Sequence, residues 1–140
     1  MAVNDVKIAG QKMEYRFNTG TYSRKITTVS EEAQIWFDRG LMWAYGFHWT
    51  ESVDCFKKSI ENDPDCAMAW WGIAYSAGPN QNNPSMEPPK DEWAYAASRR
   101  AYELREYETG ANRVLIEAII ERYNYPVPED LTEQNFSYLD

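Results

Sequence analysis

The chain predicts an all-α fold in which antiparallel helix hairpins stack as a right-handed solenoid, preceded by a short extended N-terminal segment. Three observations carry that expectation. Trp36 and Trp70 lie 34 residues apart in one local frame, Ala33-x-x-Trp36-x-x-x-Gly40 and Ala67-x-x-Trp70-x-x-x-Ala74, and self-similarity at such a period marks a helical repeat array. Asp63-Pro64-Asp65 stands where the first unit must stop, because proline's fixed φ and missing N–H suit the start of a new helix rather than a helix interior. Between these marks, apolar residues recur at helical spacing, as Val53, Phe56 and Ile60 do.

Residues 1–29 read differently from the rest. Met13, Tyr15 and Phe17 alternate against Glu14 and Arg16 before the turn-like Asn18-Thr19-Gly20, which is strand periodicity. Tyr22 to Val29 is expected to return as a second extended piece and to cover the outer face of the first helix pair, which would otherwise expose apolar surface. Met1 to Lys7 reads equally well as a loose leader. Ser30 then caps a helix to about Tyr45, with Glu31 and Glu32 at the positive end of its dipole. Gly46 to Trp49 makes the turn, and Thr50 is the expected cap of a second helix ending at Asn62.

A third helix follows Pro64 and carries Met68, Trp70, Trp71, Ile73, Ala74 and Tyr75. The prolines and asparagines from Gly78 to Pro89 exclude helix, so a loop interrupts the second unit. Helix resumes near Asp91 and runs to Thr109-Gly110, and Ser98 and Tyr102 fall before Gly110 as Ser52 and Phe56 fall before Pro64, which makes the insertion 12 residues long. A fifth helix is expected over Ala111 to Tyr123 and the beginning of a sixth at Asp130-Leu131-Thr132-Glu133. The organisation is therefore an N-terminal segment, 1–29, and a repeat domain, 30–140, with units at about 31–64, 65–110 and a partial 111–140. Two and a half units leave an apolar end, so either further repeats or another copy of the chain is expected to cover Leu115, Ile119 and Phe136.

The frame of Ala33, Trp36, Gly40, Trp43, Ser52, Phe56 and the closing Pro64 resembles the tetratricopeptide repeat family. Arg39 is the misfit, standing where that pattern prefers leucine. The wording Asp63-Pro64-Asp65-Cys66-Ala67-Met68-Ala69-Trp70-Trp71-Gly72, followed by Gly78-Pro79-Asn80-x-Asn82-x-Pro84, is similar to a group of long bacterial tetratricopeptide proteins, and the likeness extends over about residues 27–125. That resemblance implies that the chain is the N-terminal part of a longer protein, and it brings a metal hypothesis, because such proteins carry histidine-rich segments farther on. It also implies that the first helix of each pair lines a concave groove. The groove positions are then Phe37, Leu41, Tyr45, Met68, Trp71 and Tyr75, flanked by Gln34 and Ala44, an aromatic and nearly uncharged lining. The lysines and asparagines with which the family clamps acidic peptide termini are missing from these positions.

Composition narrows the function classes. A net charge of −8 without a basic cluster argues against nucleic acid as partner. No apolar run approaches the roughly 20 residues of a membrane span, and no basic-then-apolar leader opens the chain, so a cytoplasmic home is expected, with export still open if the N-terminus was trimmed. Cys55 and Cys66 are too few for a disulfide framework. The expected function is a protein-interaction scaffold that takes an apolar or basic peptide segment in the aromatic groove, with Asn80, Asn82 and Asn83 at its rim. No cofactor is called for by the residues. The alternative is the N-terminal portion of a metal-dependent enzyme using copper, zinc or iron, with most ligands outside these residues and His48 and Cys66 offered from within them, Cys55 and Met68 lying near if the helix pairs stack. No nucleophile–base pair or glycine-rich phosphate loop points to other catalysis.

Overall fold

The computed structural model describes residues 5–8, 11–79 and 90–123, together with Tyr138. Two short antiparallel strands, β1 (Asp5–Ile8) and β2 (Gln11–Glu14), pair Asp5 with Glu14 and Ile8 with Gln11. Among the described residues five helices follow, α1 (Glu31–Tyr45), α2 (Trp49–Asn62), α3 (Ala67–Ala77), α4 (Lys90–Glu103) and α5 (Gly110–Ile119), and the sixth helix expected from Asp130 lies outside them. Short 3₁₀ turns at Arg105–Tyr107 and Ile120–Arg122 finish α4 and α5. The helical part is one packed domain in which α1 lies on α2 and α3 on α4, while α3 also touches α1 and α2, and α5 touches α3 and α4.

Local chemistry explains most of the boundaries. The Ser30 hydroxyl accepts from the Ala33 N–H at 3.1 Å and opens α1. His48, not Thr50, caps α2, its Nδ1 accepting from the Glu51 N–H at 3.3 Å, because the turn is two residues shorter than the sequence suggests. Asp63 makes the stop before α3, its carboxylate accepting from the Asp65 N–H and its carbonyl from the Cys66 N–H. The extended pieces also differ from the sequence expectation. The strand pairing ends at Glu14, and residues 22–29 form no strand; they run as a single extended strap over the helices, where side chains rather than a neighbouring strand satisfy the backbone.

The core is written around one ring. Phe56 of α2 sits between Gly40 of α1 and Gly72 of α3, so closely that a Cβ at either glycine would come within 2.7 or 2.5 Å of the ring. Both helices can approach only because those positions carry no side chain. Hydroxyls close the remaining polar gaps: Ser52 donates to the Gly40 carbonyl at 2.7 Å and pairs with Ser76 at 2.8 Å, and Ser59 donates to the Ala33 carbonyl at 2.7 Å. In the second pair the closeness comes from alanines, with Ala94, Ala97 and Ala101 of α4 all buried.

Candidate interaction surface

The α1–α2 turn presents the first unusual feature. Phe47 adopts φ +60°, a left-handed conformation that bulky residues rarely accept, and its ring stands 60% exposed. Hydrogen bonds from the Phe47 N–H to the Ala44 carbonyl and from the His48 N–H to the Trp43 carbonyl hold the turn in that shape. From Phe47 a row of aromatic rings runs across the molecule. Phe47 meets Trp49 edge-on at 6.1 Å, Trp49 meets Tyr75 at 6.1 Å, and Tyr75 stacks on Trp71 at 5.2 Å with their planes 12° apart. Tyr45 lies within electrostatic reach of Tyr75 and Tyr22, and burial together with those neighbouring phenols raises its pKa above the usual tyrosine value. Tyr22 and Tyr45 are themselves an edge-on pair at 6.3 Å, both more than half exposed.

At Trp49 the row opens into a notch of about 80 Å³ between α2, α3 and α4, walled by Trp49, Val53, Ala77 and Trp93 with Asp54 at its edge. That is roughly half of a 150 Å³ cavity that admits benzene, so it suits a single short aliphatic group. The Lys57 ammonium lies 4.8 Å from the centre of the Trp93 ring and guards one side. The Trp71 indole N–H is buried and has no hydrogen-bond partner among the described residues.

The expected groove residues separate into two groups. Phe37, Leu41, Met68 and Trp71 are buried in the main core, Phe37 against Phe56 at 5.5 Å. They are not an open lining, because Ile26 of the strap packs into the same core from one side and Ile116, Ile119 and Tyr123 of the α5 region from the other. Tyr45 and Tyr75 do reach the surface, and both belong to the aromatic row. Asn80, Asn82 and Asn83, the expected rim, lie outside the described residues.

His48 and Cys66 have separate duties. His48 is exposed, caps α2 and meets Trp43 edge-on at 5.1 Å. Cys66 is fully buried ahead of α3, and burial pushes its thiol up to about 11. Among the described residues no group of three or more His, Cys, Asp or Glu side chains lies together.

Two clusters were not visible in the sequence. On the outer side of the first helix pair, Tyr15 covers Arg39, whose guanidinium is sandwiched between the Tyr15 ring at 4.3 Å and the Trp36 ring at 4.2 Å. The Tyr15 hydroxyl donates to Glu51 at 2.7 Å, accepts from the Trp43 indole at 3.0 Å and lies 3.5 Å from the Cys55 sulfur. Arg39 breaking the repeat pattern was the one available signal. The second cluster is the strap's anchorage, in which five backbone groups of residues 24–27 are held by side chains of the helices. Nothing periodic announces such bonds.

No helix among the described residues is long and apolar enough to cross a membrane. Comparison with protein-family models, with curated proteins and with solved structures gives no match for this chain.

Proposed function

We propose that the chain is a tetratricopeptide-like interaction module whose aromatic row takes a short peptide segment bearing an aliphatic anchor next to a basic residue. The repeat reading is supported by the way each new helix pair leans on both helices of the pair before it, α3 on α1 and α2, α5 on α3 and α4. The functional reading is carried by Phe47. A left-handed phenylalanine stores backbone strain, and here that strain is spent on holding an exposed ring at the head of a continuous aromatic path. Large rigid rings give contact area at small entropic cost, which is why they dominate binding hot spots. The notch beside Trp49 fits the aliphatic anchor, and Asp54 and the chain's net charge of −8 favour the basic neighbour.

A displayed library of random peptides, selected against the whole chain, tests this reading. Enrichment of aliphatic–basic sequences is expected, with affinity falling at least about tenfold in Tyr75→Ala and in Trp49→Ala, the size of a modest hot-spot loss. Failure to enrich any saturable binder, or binders indifferent to both substitutions, would refute it.

A further inference from the structure

The strap over residues 23–28 is held in a manner unlike the rest of the fold. Secondary structure satisfies backbone groups with other backbone groups, yet here the partners are side chains. The Gln34 amide grips the chain twice, accepting from the Ile26 N–H at 3.1 Å and donating to the Arg24 carbonyl at 2.8 Å. From α5, Asn112 donates to the Lys25 carbonyl at 2.9 Å and accepts from the Arg24 guanidinium at 2.8 Å. Asp38 accepts from the Ser23 hydroxyl at 2.7 Å and the Arg24 N–H at 3.1 Å. The buried Glu108 accepts from both the Thr27 N–H at 3.0 Å and its hydroxyl at 2.8 Å, and Asp63 accepts from the Thr28 hydroxyl. Between these polar grips the Ile26 side chain is buried in the core as the single aliphatic anchor.

This is how a groove holds an extended peptide: side-chain amides take the main chain, carboxylates take donors, and one pocket takes an anchor. We infer that the cleft between α1 and α5 is a peptide-binding groove occupied in cis by the chain's own strap, and that a partner segment of the same chemistry, basic residues followed by an aliphatic anchor and hydroxyls, displaces it. The inference rests on the reading of the chain as a peptide-binding module and adds a second, self-occupied site to it. Donor complementarity favours this occupant, since the carboxylates Asp38, Asp63 and Glu108 take the hydroxyls and N–H groups of the strap while Asn112 takes the Arg24 guanidinium. The cleft that remains open beside the strap has a volume of about 320 Å³ and is lined by Lys25, Thr27, Glu108 and Asn112, so an incoming segment has a place to start.

A tethered segment competes at an effective concentration on the order of millimolar, so the groove's apparent affinity for a partner is lowered by the fraction of time the strap is home. The test therefore uses the full chain with the strap weakened. A fluorescent synthetic peptide of residues 21–30 is titrated, by anisotropy, against the wild-type chain, against Ile26→Asp, which carries a charge the core rejects, and against Thr27→Pro, which removes both bonds to Glu108 and serves if Ile26→Asp fails to fold. Circular dichroism checks that each variant keeps its helices. Saturable binding at least tenfold tighter to the folded strap variants than to wild type, lost again when Gln34→Ala is added, is the expected result. Folded strap variants that bind the peptide no better than wild type, or that bind it equally well with Gln34→Ala, overturn the inference and make the strap ordinary packing. Because Tyr75 and Trp49 are untouched, that failure leaves the reading of the aromatic row standing, and the loss of the aromatic-row reading leaves this result intact.

Discussion

The two sides of the first helix pair are built on different terms. Inward, α2 meets α1 and α3 through Phe56, two glycines and three serine hydroxyls, a junction of close contacts between small residues and one ring. Outward, the same helices are covered by Tyr15, which brings a phenol, a buried arginine, a thiol and a carboxylate into one cluster. The inner side is the geometry any following helix pair would require. The outer side is closed by a polar and aromatic patch whose contacts are specific to one tyrosine. The close helix junction is thus coded by small residues that permit approach, whereas the outer cover is coded by individual partners.

The largest effect that should separate the two sides comes from Phe56. Truncation to alanine empties the space shared by three helices, and stability should fall by about 3–5 kcal/mol in denaturant melts. The complementary change, Gly72→Ala, forces a Cβ to within 2.5 Å of the same ring. It should cost about 1–3 kcal/mol despite alanine's better helix propensity. A Gly72→Ala protein as stable as wild type would show that the inner junction is looser than its geometry requires.

Alkaline pH probes both sides at once, because each holds one buried thiol. Desolvation raises Cys55 and Cys66 from the ordinary 9.0 to about 11 in the fold. For Cys55, the hydrogen bond with Tyr15 works against that rise without cancelling it. The folded values exceed the unfolded ones, so this contribution is fully present below pH 9 and is lost between pH 9 and 11, where the unfolded chain sheds protons that the fold retains. Each thiol should account for a decline of about 1.4 kcal/mol per pH unit in that window. Urea melts from pH 8 to 11 on Cys55→Ala and Cys66→Ala should each show a shallower decline than wild type. If only one substitution flattens it, the two sides differ in how well they exclude water.

How much of this could be read from the sequence follows the same division. Gly40, Ser52 and Phe56 occupy the positions that repeat periodicity assigns to them, and the structure uses each in close packing, because such packing obeys fixed offsets along helices. The N-terminal coverage of the first pair was expected, but not its form. Side-chain grips from Gln34, Asn112 and Glu108 replace a strand ladder, and they come from residues as far apart as Thr27 and Glu108, with no period to betray them. The same blindness affected the candidate groove. Phe37, Leu41, Met68 and Trp71 stand where a concave lining would be, yet whether such residues are open or closed depends on what docks over them. The sequence placed the rings; only the fold shows that Tyr45 and Tyr75 remain accessible while the other four are core.

The smallest expected effect concerns Arg39, and it sharpens the contrast most. If the outer cover were ordinary apolar packing, replacing Tyr15 by leucine and Arg39 by methionine would give additive losses. The guanidinium instead lies close to the centres of two ring faces, 4.3 Å from Tyr15 and 4.2 Å from Trp36, in a site almost closed to water. Burial lowers the Arg39 pKa while the phenol of Tyr15 and the thiol of Cys55 pull it back up. A double-mutant cycle of Tyr15→Leu and Arg39→Met should therefore return a coupling of about 1–2 kcal/mol, the range for a desolvated cation over aromatic faces. Phe56→Ala paired with Arg39→Met should be additive within about 0.5 kcal/mol if the two sides are energetically separate. Strong coupling in that second cycle would mean that α1 and α2 transmit strain between their faces, and that the cover and the repeat junction act as one cooperative unit.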